Sequence, residues 1–243
     1  MKRIFVVLPL ACWLVGCSSK AEESKAPPEA APAAVPAAVP ADEPDPRYKV
    51  SEAAQPGMPP DLVEALAKVR VPPPLKSTEV PATARVRLTT SKGPITLELN
   101  GKEAPLHVKS FLYLAGRGFY NGVWFHRYAN LMEGSPDGKT GWIIQGGDPL
   151  SKDEATRQYA GGGGPGYQVP REHNTLKHNS YVIAAARSQD PDSAGSQFYF
   201  TIDPVPFLDE GDGYTVFGKI IEGQANAKKL RQGDSIKSIA ILK

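Results

Sequence analysis

The 243-residue sequence predicts a mainly β domain, a closed barrel or a sandwich, that starts near Thr83 and runs to the end of the chain. Three observations predict it: short stretches of alternating apolar and polar residues, glycine-rich connections between them, and only two segments there with helical spacing. The regular strand and helix alternation of a parallel sheet is not in the pattern.

The first two strands read as a hairpin. In Ala84 to Thr90, Val86 and Leu88 alternate with Arg85 and Arg87; Ser91-Lys92-Gly93-Pro94 makes the turn; Ile95 to Leu99 alternates again, with Thr96 and Glu98 outward. Ala104-Pro105 then opens a helix, since proline is tolerated where the backbone N–H has no helical partner. Val108, Phe111, Leu112 and Ala115 recur at helical spacing until Gly116 and Gly118 stop it. Short apolar runs follow at Val123 to Phe125, Trp142 to Ile144, Tyr181 to Ala186, Gln197 to Ile202, Tyr214 to Ile221 and Ile236 to Leu242, and Gln224 to Arg231 has the pattern of a second helix.

The segments before the domain differ in kind. Met1-Lys2-Arg3 followed by the apolar run Ile4 to Val15 has the form of an export signal, and it is shorter than the roughly 20 residues a lasting transmembrane helix needs. Leu14-Val15-Gly16-Cys17 resembles a bacterial lipobox, which implies cleavage after residue 16 and acylation of Cys17. Ser18, in place of an Asp, then implies a periplasm-facing outer-membrane location. From Ser18 to about Pro46 the chain is Ala, Pro, Glu and Lys with few large apolar residues, so it buries too little surface to offset ordering. The expectation is a Pro/Ala-rich tether over 17–82, interrupted by a short helix near 60–70 with Asp61 as its N-cap, and a domain over 83–243.

Composition excludes several classes. Formal net charge is +2, from 28 basic and 26 acidic residues with no basic run, so no nucleic-acid surface is expected. The two cysteines are Cys12, inside the signal, and Cys17, so the mature chain has no disulfide and must be held by its core.

Between Phe119 and Gly218 a set of motifs occurs in a characteristic order: Gly118-Phe119-Tyr120-Asn121-Gly122, Phe125-His126-Arg127, Ile144-Gln145-Gly146-Gly147-Asp148, Gly163-Gly164-Pro165-Gly166-Tyr167, Ser193-Ala194-Gly195-Ser196-Gln197-Phe198, Phe207-Leu208-Asp209 and Val216-Phe217-Gly218-Lys219. Together they resemble the cyclophilins, the peptidyl-prolyl cis/trans isomerases. The resemblance spans roughly Ala84 to Lys243 and implies a closed eight-stranded antiparallel barrel capped by two helices, acting as a monomer without a cofactor or metal on proline-containing polypeptides.

The chemistry implied is the easing of a twist. An X-Pro bond exchanges slowly because rotation must break amide resonance, at a barrier of about 18–20 kcal/mol. At the twisted transition state the nitrogen lone pair is localised and accepts a hydrogen bond, so a donor placed there favours that state over either planar isomer. By resemblance Arg127 is that donor, and a guanidinium suits the task because it stays charged. The same resemblance assigns the walls of the proline pocket to Trp142, Ile143, Tyr199, Phe207, Leu208 and Tyr214, the substrate-binding amides to Gln145 and Gln197, and the far-side groove to Ala186 and Arg187.

Some residues depart from the family pattern. Trp142, Ile143, Tyr199, Phe207 and Tyr214 replace its commoner Phe, Met, Phe, Trp and His; Ala185 stands for a usual Met and Tyr181 for a usual Gly. The Tyr199 hydroxyl needs a partner if the pocket is to stay intact, and Asn130 to Gly141 is a longer connection than usual. The rival reading is a non-catalytic prolyl-peptide-binding or chaperone module of the same fold. Other patterns fail. Gly161, Gly163 and Gly166 lack the strand and helix of a dinucleotide site, and His173 and His178, read as satisfied surface histidines, lack zinc spacing. Asp190-Pro191-Asp192 and Asp209-Glu210-Gly211-Asp212 lack the closing Glu of a calcium loop and read as turns.

Overall fold

The computed structural model describes residues 42–51 and 57–243. The expected signal over 1–16, Cys17 and the tether as far as residue 41 lie outside them.

The elements follow in order: β1 (Lys49–Val50), α1 (Pro60–Val69), β2 (Thr83–Thr90), β3 (Gly93–Asn100), α2 (Pro105–Gly116), β4 (Arg127–Asn130), β5 (Trp142–Gly146), β6 (Tyr167–Gln168), β7 (Val182–Ala185), β8 (Phe198–Thr201), β9 (Val216–Glu222), α3 (Gln224–Lys229) and β10 (Ile236–Leu242). Eight strands form one curled antiparallel sheet in the order β10-β2-β3-β9-β7-β8-β5-β4, and β1 pairs with β6 beside it. The hairpin is as its alternation requires: β2 and β3 pair along their whole length, with Val86, Leu88, Ile95, Leu97 and Leu99 fully buried. α2 packs on β3 and β10, and Val108, Phe111 and Leu114 enter a core that also holds Phe198 and Phe200.

Two expectations are corrected. The sheet is open, not a closed barrel, with β4 and β10 as its edges. Those edges meet only where each strand is about to begin: Trp124 and Ser235 form an isolated bridge, and Phe125 N–H donates to Asp234 O at 2.8 Å. Closure needs a ladder between the edge strands, and apolar alternation within each strand carries no information about that pairing.

The second correction concerns the tether. The described residues from 42 onward belong to the compact unit, which therefore does not begin at 83. Tyr48 is 4% exposed, sets its ring edge-on to Tyr167 at 5.4 Å and donates its hydroxyl to Leu106 O at 2.8 Å. Asp45 is buried and takes the Nζ of buried Lys109 on α2 at 3.0 Å. These anchors are few and scattered in a Pro-rich composition, which is why the composition reads as a spacer. α1 starts at Pro60 without a side-chain cap; Asp61 lies in its first turn and accepts from the Tyr159 hydroxyl at 2.9 Å instead. No described helix is long and apolar enough to cross a membrane.

Candidate active site

Sheet register builds the site. Directly opposed residues of an antiparallel sheet share a face, so the pairs Arg127↔Gln145, Gln145↔Tyr199, Ala184↔Tyr199 and Ala184↔Val216 place one row across β4, β5, β8, β7 and β9. Ile143 lies two residues along β5 on that face, and Gln197 two residues before Tyr199.

The polar part of the row is a chain of hydrogen bonds. Arg127 Nη1 donates to Gln145 Oε1 at 3.3 Å, Gln145 Nε2 to Gln197 Oε1 at 3.0 Å, and Gln197 Nε2 to Gly163 O at 2.8 Å and Gly161 O at 2.9 Å. Arg127 is exposed at the edge of the sheet, with its guanidinium lying over Gln145. Beside it, burial pushes the His126 imidazole down, so that ring adds no second charge near neutral pH. The glycine loop is held from below by Asp148, fully buried, which accepts from the N–H groups of Leu150 and Gly163 at 2.8 Å. Only glycine fits at 163, where a Cβ would sit 2.1 Å from Asp148 Oδ1. Gly147 has φ +92, and a Cβ there would lie 2.4 Å from Ser196 O, so the turn after β5 also requires it.

The apolar part is a small cluster separate from the main core: Ile143, Val182, Ala184, Tyr199, Val205, Leu208 and Val216, with Ala186, Tyr214 and Leu131 half-buried around it. Leu131 belongs to the long connection after β4, which therefore does reach the site. Arg187 lies over the Tyr214 ring at 4.3 Å and donates to Gly213 O at 3.0 Å.

Tyr199 finds the partner its hydroxyl needs. It lies 2.8 Å from His178 Nε2, while His178 Nδ1 lies 2.6 Å from Asp209 Oδ1. A carboxylate only accepts, so Nδ1 carries the proton, Nε2 accepts, and the Tyr199 O–H donates to it. His178 is buried, contrary to the surface reading, and burial pushes its imidazole down despite Asp209. Asp209 follows Leu208 in the 3-10 turn Pro206–Asp209, so this relay also fixes the turn that carries Leu208. Neither residue was assigned to the site from sequence; the signal available was Asp209 adjoining Phe207-Leu208.

One expected placement is not met. Trp142 alternates to the opposite face of β5, where it stacks on Tyr128 with centroids 4.5 Å apart. Ala185, which stands for a usual Met, faces the main core. Phe207 is 42% exposed, whereas Leu208 is buried in the apolar cluster. Tyr181 is the one described non-glycine residue with positive φ, +63, at the position where the resemblance has glycine. Among the described residues no His, Cys, Asp and Glu group is placed to hold a metal.

A cleft of about 390 Å³ opens beside the two glutamines. It is bounded by Gln145, Gln197, Ala186, Arg187 and the 161–166 loop on one side and by Ser51, Met58, Leu66 and Arg70 of the N-terminal arm on the other.

Residues 85–242 match the model of the cyclophilin type peptidyl-prolyl cis-trans isomerase/CLD family. The chain belongs to this family. Its enzyme class is that of the peptidyl-prolyl cis-trans isomerases. It is 39% identical over 169 residues to a peptidyl-prolyl cis-trans isomerase of Helicobacter pylori, covering 68% of this chain and 91% of the relative. It is 36% identical over 156 residues to peptidyl-prolyl cis-trans isomerase A of Dickeya dadantii, covering 62% of this chain and 72% of the relative. Among solved structures, a cyclophilin type isomerase of Cryptosporidium parvum aligns at TM-score 0.54 and 28% identity, over 66% of this chain and 98% of its own.

Proposed function

We propose that the chain isomerises X-Pro bonds in polypeptides of the bacterial cell envelope, as a monomer assisting their folding, with Arg127 stabilising the twisted amide. The observation that carries the reading is the single row in which an exposed guanidinium, two amides and an apolar cluster share one face of the sheet.

Arg127 donates to the amide nitrogen once its lone pair is localised, and this interaction is absent in either planar isomer. Gln145 accepts from the guanidinium through Oε1 and donates through Nε2 to Gln197, so the donor is oriented before substrate arrives. Ile143, Leu208, Tyr199 and Tyr214 receive the pyrrolidine ring, and the relay through His178 keeps the Tyr199 hydroxyl satisfied away from it. No proton is transferred in this step.

A protease-free prolyl peptide assay by exchange NMR tests this. Turnover is expected in the full chain and a fall of about 100-fold in Arg127→Ala, the scale of losing one preorganised donor. Peptide binding with no acceleration would replace the reading with the non-catalytic module. The envelope location rests on Cys17 as a lipid anchor: Cys17→Ser is expected to move the protein from the membrane to the soluble fraction, and unchanged membrane retention removes the anchor.

A further inference from the structure

One wall of the cleft beside Gln145 and Gln197 comes from outside the family-matched region. That match covers residues 85–242, whereas Met58, Leu66 and Arg70 precede it. The wall is fixed at several points. Ser51 N–H donates to Gly166 O at 3.0 Å and Val71 N–H to Pro165 O at 2.9 Å, so the arm grips the glycine loop on both sides of α1. β1 adds a strand to β6 next to that loop, and Asp61 on α1 takes the Tyr159 hydroxyl at 2.9 Å. Upstream, the buried Asp45–Lys109 pair at 3.0 Å ties the arm to α2. A segment held this way sets the width of the cleft.

Its charge has one sign. Arg70 reaches in from the arm and Arg187 from the residue pair after β7. Both are oriented by backbone carbonyls: Arg70 Nη2 by Gly166 O at 3.2 Å and Ser51 O, Arg187 by Gly213 O at 3.0 Å and Ser188 O at 2.9 Å. Carbonyls orient a guanidinium without cancelling its charge, and no Asp or Glu lines the cleft among the described residues. Leu66 and Met58 supply apolar surface beside Arg70, which suits the methylene stem of a longer acidic side chain.

We infer that Met58, Leu66 and Arg70, with Arg187, form a subsite that selects substrates carrying an acidic side chain close in sequence to the isomerised proline. The inference rests on the isomerase reading for its substrate, and on the arm for its selectivity.

The test uses the full chain and capped peptides with Glu, Ala or Lys placed in turn at the positions flanking the X-Pro pair. Turnover is read by exchange NMR and affinity by calorimetry, at low and high salt. At one flanking position the Glu peptide is expected to exceed the Lys peptide about fivefold in kcat/KM and to have a Kd about fivefold lower, a ratio that shrinks with salt, as a partly exposed charge pair should. Arg70→Gln should bring the ratio toward one, and Leu66→Glu should turn it toward Lys. Leu66→Glu decides the matter if circular dichroism shows that Arg70→Gln has not folded. Equal Glu and Lys values at every position, or a preference undiminished in both variants, overturns the subsite. A Glu preference in Kd that vanishes in Arg70→Gln, with turnover absent for every peptide, supports the subsite and removes the isomerase reading instead.

Discussion

A hydroxyl buried at an apolar recess destabilises the fold unless it is paired, and at Tyr199 the partner is His178, itself held by Asp209. Tyr199→Phe removes the donor and leaves a buried imidazole nitrogen unpaired, so a loss of about 1–2 kcal/mol in denaturant unfolding is expected. Turnover should not rise, because the hydroxyl is already engaged by His178; a clear gain in kcat/KM would show that it had obstructed the substrate. The relay also responds to pH. Burial lowers the His178 pKa below its unfolded value, so the unfolded chain takes up its proton first as pH falls. Stability contributed by neutral His178 is therefore present above about pH 6.5 and declines below it, toward the folded pKa. Asp209 faces His178 across this relay, Lys177 adjoins it, and Tyr214 and Arg187 lie beyond Tyr199. His178→Gln should flatten that part of the stability profile in melts across the range.

At the scale of elements, the arm and the glycine loop depend on single buried carboxylates. Arg47, together with Lys109, holds the Asp45 carboxyl well below the usual range. The depressed pKa means that its stabilisation is complete above about pH 4 and is lost as pH falls through the folded value. Asp45→Asn leaves Lys109 charged and nine-tenths or more buried without its carboxylate, and a loss of about 3 kcal/mol is expected in urea unfolding at neutral pH. In the glycine loop, Gly163→Ala forces either Asp148 or the loop to move, which shifts the two carbonyls that orient Gln197. Peptide affinity by calorimetry should fall while the far-UV spectrum is unchanged.

At the scale of the whole molecule, the described arm is tied to the curled sheet and the two are expected to unfold as one cooperative unit. Tyr48, Asp45 and α1 are seated on α2, β6 and the glycine loop, so a chain beginning at residue 83 exposes Tyr167 and leaves the Lys109 ammonium without its partner. Its melting temperature is expected to drop by several degrees relative to the full chain, as about 1 kcal/mol already shifts a domain of this size by roughly 2–4 °C. Arm amides near Ser51 and Val71 should exchange with the global unfolding rate, not faster.

Alternation, glycine spacing and the ordered motifs determined that this chain is a mainly β member of its family, with a hairpin at 84–99, a helix at Pro105 and a row of Arg127, Gln145, Gln197 and Tyr199 available to one face. Those features depend on residues near in sequence or on the two-residue period of a strand, which the chain carries in itself. Tertiary structure alone decided that the sheet stays open, that Trp142 turns away, that His178 takes the Tyr199 hydroxyl and that Ser51, Met58, Leu66 and Arg70 wall the cleft. Each of these depends on which distant backbone lies opposite, and a few anchors such as Asp45 and Tyr48 contribute too little to composition to announce where they will dock.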